Sequence, residues 1–201
     1  MRDFYIDQIL KAYALGLFPM AICADAPEYH WVRPDKRGVI FIENFHIPKS
    51  MKKFLAHSSY KVTKNKAFYQ VLSGCREICE SRKGTWINRD IMDMFRRLHQ
   101  AGFAHSYECW DDKGDLVGGL YGLNMGKIFS GESMFSRKEN ASKTCLVKLY
   151  EDLKTDGYEL IDTQFINDHL KQFGAEEITH QEYIHLSDTL IHFKDRPLDD
   201  D

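Results

Sequence analysis

Leu116-Val-Gly-Gly-Leu-Tyr-Gly-Leu123 begins the stretch around which the predicted fold is organised. It is followed by a turn at Asn124-Met-Gly126 and then by Lys127-Ile-Phe-Ser-Gly-Glu-Ser-Met-Phe-Ser136. An amphipathic segment and then Tyr158-Glu-Leu-Ile-Asp-Thr-Gln164 follow it. The apolar runs and the glycine-bearing turn predict two antiparallel strands. The helical spacing and the last apolar run predict a helix and a third strand, so this stretch is expected to form one compact unit.

Three polar residues interrupt these apolar runs. Glu132 lies in the second predicted strand, and Asp162 and Gln164 lie in the third. Because strand side chains alternate between faces, Asp162 and Gln164 are expected on the same face, roughly 6.5 to 7 Å apart along the strand. Polar groups are costly in such positions. The three residues together therefore indicate a functional site.

Composition is typical of a globular protein of 201 residues, with 43% apolar and 13% aromatic residues. The five cysteines are scattered without a Cys-x-x-Cys pair, which favours a reduced cytoplasmic location. Cys75 and Cys79 could form half of a metal site, although two buried thiols are the favoured interpretation, and neither a metal nor a cofactor is expected. Asp3 and Asp7 lie where a signal peptide needs an apolar run, and no apolar run reaches 18 residues. We therefore expect a protein that is neither secreted nor membrane-spanning.

The charge is unevenly distributed. Between Asn44 and Arg76 there are seven basic residues and no acidic one, whereas from Tyr150 onward there are fourteen acidic and four basic residues. Such a chain could bind two partners of opposite charge. The alternative is that both regions are ordinary solvated surfaces.

Further elements follow from periodicity and from turn residues. We expect a helix capped by Asp3 and ending near Gly16, an irregular segment from Met20 to Arg37, and an exposed loop at Gly84–Asn88. Capping boxes at Ser136–Glu139 and Thr179–Glu182 predict two helix starts, the second helix ending near Leu190. The remaining predicted strands are 39–42, 60–63 and 105–110. Of the remaining predicted helices, one begins after Pro48 and the other two span 66–80 and 89–100. The C-terminal tail is expected to fray.

This order of elements predicts an α+β fold, with an acetyltransferase-like (GNAT-type) mixed sheet and flanking helices, plus a small N-terminal domain. The predicted domains are residues 1–38 and an acyltransferase-like catalytic domain at 39–201. Acetyltransferases bind the pyrophosphate of coenzyme A with a glycine-rich loop before the helix. Ser136–Lys143 occupies that place without a glycine. Another activated acyl donor is therefore considered.

A set of motifs resembles the leucyl/phenylalanyl-tRNA protein transferases, in order from about Ala12 to Ile184. The most specific are Gly131-Glu-Ser-Met-Phe-Ser136, Glu139-Asn-Ala-Ser-Lys-Thr144 and Leu160-Ile-Asp-Thr-Gln164, and the others include Leu15-Gly-Leu-Phe-Pro19, Gly84-Thr-Trp-Ile87 and Asn167-Asp-His169. The resemblance implies transfer of Leu or Phe, with Met as a further candidate, from aminoacyl-tRNA to proteins that begin with Arg or Lys. The product is marked for degradation through the N-degron pathway.

The resemblance also implies roles for individual residues. Asp162 and Gln164 match the catalytic pair. The apolar donor pocket is matched by Leu120, Phe129, Leu146, Leu149 and Ile161, with Glu132 beside it. Lys49 and Lys53, with Lys52 between them, match positions assigned to the tRNA. Where better-known members clamp the terminal adenosine between two aromatic rings, this chain has Met20 and Leu153, so adenosine binding would depend on Met20 and Trp31.

The proposed chemistry requires an amine nucleophile, a place for the oxyanion and a proton for the departing ribose. Gln164 could accept a hydrogen bond from the amine while Asp162 orients its amide, and positioning would supply most of the rate. Alternatively, Asp162 and Gln164 satisfy backbone groups at a strand end. Glu132 could bind the donor's amino group or the acceptor's positive terminus, or form a structural pair with Arg or Lys. An acetyl-coenzyme A acetyltransferase and a non-catalytic RNA-binding module are alternative functions, and a monomer is expected.

Overall fold

The computed structural model describes residues 4–77 and 84–191. Its helices are α1 (Phe4–Ala14), α2 (Lys49–His57), α3 (Phe68–Arg76), α4 (Arg89–Gln100), α5 (Ala141–Thr155), α6 (Asp168–Lys171) and α7 (His180–Leu190), with a 3-10 turn at Ile42–Asn44. Its strands are β1 (Phe18–Met20), β2 (His30–Val32), β3 (Lys36–Phe41), β4 (Lys61–Lys64), β5 (Ala104–Trp110), β6 (Leu116–Met125), β7 (Ile128–Ser136), β8 (Leu160–Gln164) and β9 (Glu176–Thr179).

Seven of these strands form one mixed sheet in the order β4-β5-β6-β7-β8-β3-β9. Neighbouring strands are antiparallel except β7 and β8, which run parallel and are joined through α5. A parallel connection needs such a crossover element. The predicted α+β class and the acetyltransferase-like mixed sheet with flanking helices are confirmed.

The sheet buries a separate apolar cluster on each face. Successive residues of β8 show the division, because Leu160 belongs to one cluster and Ile161 to the other. We call the first the Asp162 face, which carries α1, α3, α4 and α7, and the second the α5 face, which carries α2 and α5. Alternation along a strand produces this arrangement wherever both faces are covered. The two faces therefore hold different sets of the predicted site residues.

Several local predictions are confirmed. Helix α4 has the predicted bounds, and its N-cap Asn88 accepts a hydrogen bond from the Ile91 amide at 2.9 Å. The capping box of Thr179 and Glu182 is formed at the start of α7, which ends at Leu190 as predicted. These signals are short-range, so the local sequence is sufficient to produce them.

Two predictions about helix and strand starts are wrong. The capping box at Ser136–Glu139 is not formed, because Ser136 pairs with Gly118 as the last residue of β7. Helix α5 begins at Ala141 after Asn140, whose φ is +57°. The segment from Met20 to Arg37 is also less irregular than predicted, since β1 and β2 pair antiparallel and β3 begins at Lys36. Cross-strand pairing, which local sequence does not show, decides these boundaries.

The predicted exposure of the loop at Gly84–Asn88 is wrong beyond Gly84, because Thr85 to Asn88 are buried or half-buried. Ile87 and Asn88 have no exposed surface, and Trp86 is half-buried against the Asp162 face. Helix α1 packs on the same cluster through Ile6 and Leu10. The division into domains at residue 38 stays a prediction. The predicted cap at Asp3, the thiol of Cys79 and the C-terminal tail lie outside the described residues.

Candidate active site

Strands β7 and β8 separate partway along their length. They pair only at Ile128 with Leu160, Phe129 with Ile161, and Ser130 with Asp162. Beyond those pairs β7 continues to Ser136 and β8 to Gln164. A side-chain carbon placed on Gly131 would meet only the Asp162 carbonyl oxygen, at 3.7 Å. An opening therefore begins between the two strands directly after Ser130 and Asp162.

A bulge lies on each side of this opening. In β7, Gly131 pairs with Gly122 and Ser133 with Tyr121, so Glu132 is an extra residue. In β8, Asp162 pairs with Val39 and Gln164 with Gly38, so Thr163 is an extra residue. Bulges bend a strand and redirect side chains, and they are frequent next to functional sites.

Asp162 accepts five hydrogen bonds from four elements and has no exposed surface. Arg37 donates twice, from Nε to Oδ1 at 2.8 Å and from Nη2 to Oδ2 at 2.6 Å. Oδ2 also accepts from Tyr183 Oη at 3.0 Å and Ser130 Oγ at 3.3 Å, and Oδ1 accepts from the Gln164 amide at 3.0 Å. A carboxylate that accepts so many hydrogen bonds is suited to holding other groups in place.

Gln164 has a left-handed backbone, with a φ of +55°. This conformation is uncommon outside glycine, and the bond from the Gln164 amide to Asp162 supports it. Asp162 therefore orients the backbone of Gln164, whereas the sequence suggested an interaction with its side-chain amide. Gln164 Nε2 is buried without a partner among the described residues. A buried donor without a partner is costly, and such groups often have a functional role.

Glu132 is buried, with 9% of its surface exposed, and accepts a hydrogen bond from Tyr13 Oη at 2.9 Å. Burial raises the pKa of its carboxyl to about 8, because it outweighs the bond from Tyr13, while the charge of Asp162 adds to the rise and Arg37 opposes it. The structural partner of Glu132 is thus a tyrosine rather than the Arg or Lys considered from the sequence. A carboxyl with such a pKa can gain or lose a proton near neutral pH.

Sequence reasoning missed the four residues that complete this network. Arg37, Tyr13, Tyr183 and Ser130 come from β3, α1, α7 and β7. For Arg37, the one signal in the sequence was a charged residue two positions before the apolar run of Val39 to Ile42. Tyr13 and Tyr183 look like ordinary apolar-stripe residues, so only the folded chain shows their contacts with the carboxylates.

The predicted donor-pocket residues lie on the α5 face. Ile161 follows Leu160 and precedes Asp162 but belongs to the α5-face cluster, so the pocket and the Asp162 network occupy opposite faces of β8. All of the pocket residues, and Leu153 with them, are at most 3% exposed: Leu120, Phe129, Leu146, Leu149, Leu153 and Ile161. Their side chains therefore close on one another in this structure.

Met20 and Trp31 lie on the β1–β2 hairpin, each 37% exposed. The Trp31 ring meets Tyr13 edge-on, with 6.2 Å between centroids, and Tyr13 in turn bonds Glu132. Leu153 is buried in the α5-face cluster, to which Met20 does not belong. The structure thus brings Trp31 to the network around Glu132, while Leu153 remains on the other face.

Lys49, Lys52 and Lys53 are exposed on α2, which packs on the α5 face through Met51. None of the three forms an ion pair with another residue that the structure describes. Within residues 4–77 and 84–191, no cluster of three His, Cys, Asp or Glu side chains could hold a metal ion. No helix in those ranges is long and apolar enough to cross a membrane.

Comparison with known proteins identifies the family. The model of the leucyl/phenylalanyl-tRNA protein transferases matches residues 39–188. The transferase of Maricaulis maris (strain MCS10) is 45% identical over 183 residues, covering 91% of this chain and 84% of that protein. The transferase of Paramagnetospirillum magneticum (strain ATCC 700264 / AMB-1) is 46% identical over 183 residues, with coverages of 91% and 87%. The crystal structure of FemX shares the fold, with a TM-score of 0.54 and 11% identity over 87% of this chain and 69% of that one. The chain therefore belongs to the leucyl/phenylalanyl-tRNA protein transferase family of aminoacyltransferases.

Proposed function

We propose that this protein transfers Leu or Phe, with Met as a further candidate donor, from aminoacyl-tRNA to the N-terminal Arg or Lys of acceptor proteins. Family membership supports this reaction over the acetyl-coenzyme A and RNA-binding alternatives. The observation that carries the proposal is the opening between β7 and β8. Glu132 and Gln164 each follow the last paired residue of their strand by two positions, so they lie on opposite walls of it.

Gln164 is proposed to stabilise the oxyanion. The reaction breaks the ester to ribose after the acceptor amine attacks its carbonyl carbon, and negative charge develops on the carbonyl oxygen. Gln164 Nε2 is a buried donor without a partner among the described residues, and the bond from the Gln164 backbone amide to Asp162 fixes the backbone that carries this side chain. A single pre-positioned donor of this kind contributes roughly 10²- to 10³-fold in rate.

Glu132 is proposed to bind the acceptor amine and take its proton. Tyr13 holds Oε1, whereas Oε2 has no partner among the residues described. The pKa of Glu132, raised to about 8 by burial, lies close to the value of about 8 for a free α-amine. Proton transfer is efficient when the two values match. The proton can then pass to the departing ribose oxygen.

The donor side chain is proposed to enter from the opening and pack against Phe129 and Ile161. These residues form the pair one step before Ser130 and Asp162, the last pair before the opening, and their side chains belong to the α5-face cluster. Since the pocket residues close on one another, donor binding requires Leu146 and Leu149 of α5 to move outward. An apolar pocket discriminates side chains by size, at about 1 to 3 kcal/mol per methylene.

The tRNA is proposed to contact Lys49, Lys52 and Lys53 through its phosphates, since these exposed charges have no described protein partner. The terminal adenosine is assigned to Trp31 with Met20. Edge contacts from Tyr13 and Tyr29 hold the Trp31 ring, and one stacked base contributes about 1 to 3 kcal/mol.

We place the reaction in the cytoplasm, carried out by a monomer, with the product entering the N-degron pathway. Cys23, Cys109 and Cys145 carry no disulfide, which supports this location.

The decisive experiment measures transfer of labelled leucine from leucyl-tRNA to a model protein beginning with Arg, beside the same protein beginning with Met. Label on the Arg protein alone supports the proposal. Equal labelling would contradict the acceptor assignment, and failure with leucyl-, phenylalanyl- and methionyl-tRNA would contradict the reaction. A thermal-shift titration with coenzyme A is expected to show no stabilisation, because the loop at Ser136–Lys143 contains no glycine.

A further inference from the structure

Arg37 connects the segment after α1, strand β1 and helix α7 to Asp162. It has no exposed surface, and its Nη1 donates to the Gly16 carbonyl at 2.7 Å, while Nε and Nη2 bind Asp162. Its guanidinium carbon lies 5.0 Å from the Phe18 ring centroid and 4.5 Å from that of Tyr183. One side chain thus joins the segment after α1, strand β1 and helix α7 to strand β8.

The geometry of the Arg37–Asp162 ion pair restricts the carboxylate of Asp162 to one orientation. A guanidinium presents its donors in a rigid planar fork, so two parallel bonds fix the plane of the carboxylate as well as its position. Asp162 Oδ1 accepts from Arg37 Nε and also from the backbone amide of Gln164. Rotation of the carboxylate would break the bond that supports the left-handed backbone of Gln164.

We propose, on the basis of the function proposed above, that Arg37 is a positioning residue for aminoacyl transfer, which acts through Asp162 to hold Gln164 in its left-handed conformation at the opening between β7 and β8. Tyr183 assists by donating to Asp162 Oδ2 at 3.0 Å. Neither residue contacts the reacting atoms. Both act by keeping a neutral amide in the one place where it can donate to the ester carbonyl.

A purely structural role predicts a different outcome. Removal of one partner of a buried ion pair destabilises a protein because the other charge remains unpaired. If Arg37 were only structural, its variants would lower the folded fraction without changing the rate of each folded molecule. Glu108 is a suitable comparison, since it is also fully buried and bonded to Ser106 and Thr63, but it lies on β5.

The test compares R37M, R37K and E108Q in single-turnover transfer with saturating leucyl-tRNA, corrected for the folded fraction. A misplaced catalytic group costs about 10²-fold in rate, so we expect that loss for R37M and about 10-fold for R37K, which keeps the charge but not the fork. The Kd for tRNA is expected to stay unchanged in both, and E108Q is expected to retain the wild-type rate. Equal corrected rates for R37M, R37K and wild type would overturn the proposal.

A second measurement follows the backbone amide of Gln164 by NMR and does not depend on transfer. We expect the chemical shift of the Gln164 amide proton to lose its hydrogen-bonded value in R37M and to change by a smaller amount in R37K and Y183F. In E108Q the chemical shift is expected to stay at its wild-type value. An unmoved resonance in R37K and Y183F would overturn the proposal, even if R37M did not fold. A wild-type protein that transfers no amino acid would contradict the proposed function, while this resonance would still decide whether Arg37 holds Gln164.

Discussion

The two faces of β8 use neighbouring residues for opposite purposes. Asp162 enters a charged network with Arg37 and Tyr183, whereas Ile161 packs among the apolar side chains of the α5 face. Directional bonds fix orientation, while apolar contacts fill space and adapt to shape. In the proposed mechanism, orientation of the reacting groups and recognition of the donor side chain therefore fall to separate faces of one strand.

The energetic consequences of the two faces also differ. A buried ion pair recovers little net stability, because desolvation offsets most of its attraction. A fully buried aliphatic or aromatic side chain contributes about 1.5 to 3 kcal/mol. Removal of a single charge from the Asp162 face, however, leaves its partner unpaired, so changes there should lower both stability and the rate of transfer. Changes on the α5 face should act on stability and on the choice of donor.

The largest effect is expected for Asp162→Ala, which breaks the Asp162 face. It leaves the Arg37 charge buried without its partner, which costs about 3 to 5 kcal/mol in the free energy of unfolding. It also releases Gln164, so we expect transfer to fall by about 10²-fold or more in the molecules that remain folded. Denaturant unfolding and single-turnover transfer measure the two effects. Retained transfer with normal tRNA binding would refute the role of Asp162.

Leu149→Ala breaks the α5 face and is matched by Leu98→Ala on α4. Both leucines are at most 1% exposed, so each change is expected to cost about 2 to 5 kcal/mol in the free energy of unfolding. Only Leu149→Ala should enlarge the proposed donor pocket, raising transfer of Phe relative to Leu. Competition between the two aminoacyl-tRNAs measures the preference. The same shift in Leu98→Ala would show that the pocket is wrongly placed.

Glu132→Gln removes a carboxyl from the Asp162 face without changing the shape of the side chain. The pKa of Glu132 is raised to about 8 from about 4.5 in the unfolded chain, so the folded protein binds the proton more tightly. Wild-type stability should therefore fall as pH rises from about 4.5 to about 8, by roughly 3 to 5 kcal/mol from this group. The variant should lack this fall. Unfolding curves at several pH values measure it, and parallel pH profiles would contradict the assignment.

Lys53→Glu is expected to have the smallest effect on the protein itself, because Lys53 is exposed to solvent on α2. Stability should change by about 0.5 kcal/mol or less. Binding of tRNA should weaken, with a shallower dependence on salt concentration. Lys127→Glu is the control for tRNA affinity, since the Lys127 side chain is half-buried, pairs with Glu159, and lies in the turn between β6 and β7, at the end of β7 away from the opening. Equal effects of the two variants on tRNA affinity would exclude a specific role for α2.

Local sequence predicted much of the fold. Apolar spacing marked helix α4, the Thr179–Glu182 capping box marked the start of α7, and the glycine-bearing turn at Asn124–Gly126 marked the hairpin of β6 and β7. Predictions failed where a distant strand competed with a local signal. Ser136 has the spacing of a capping residue, but its pairing with Gly118 keeps it in β7.

The costly polar residues Glu132, Asp162 and Gln164, and the order of the elements that carry them, could be identified without the structure. Their partners emerge only from the folded chain, because Arg37 and Tyr183 lie 125 and 21 residues from Asp162, and Tyr13 lies 119 residues from Glu132. The bulge at Glu132 likewise depends on the register between β6 and β7. Contacts between distant residues arise from the packing of whole elements, so no local pattern of residues encodes them.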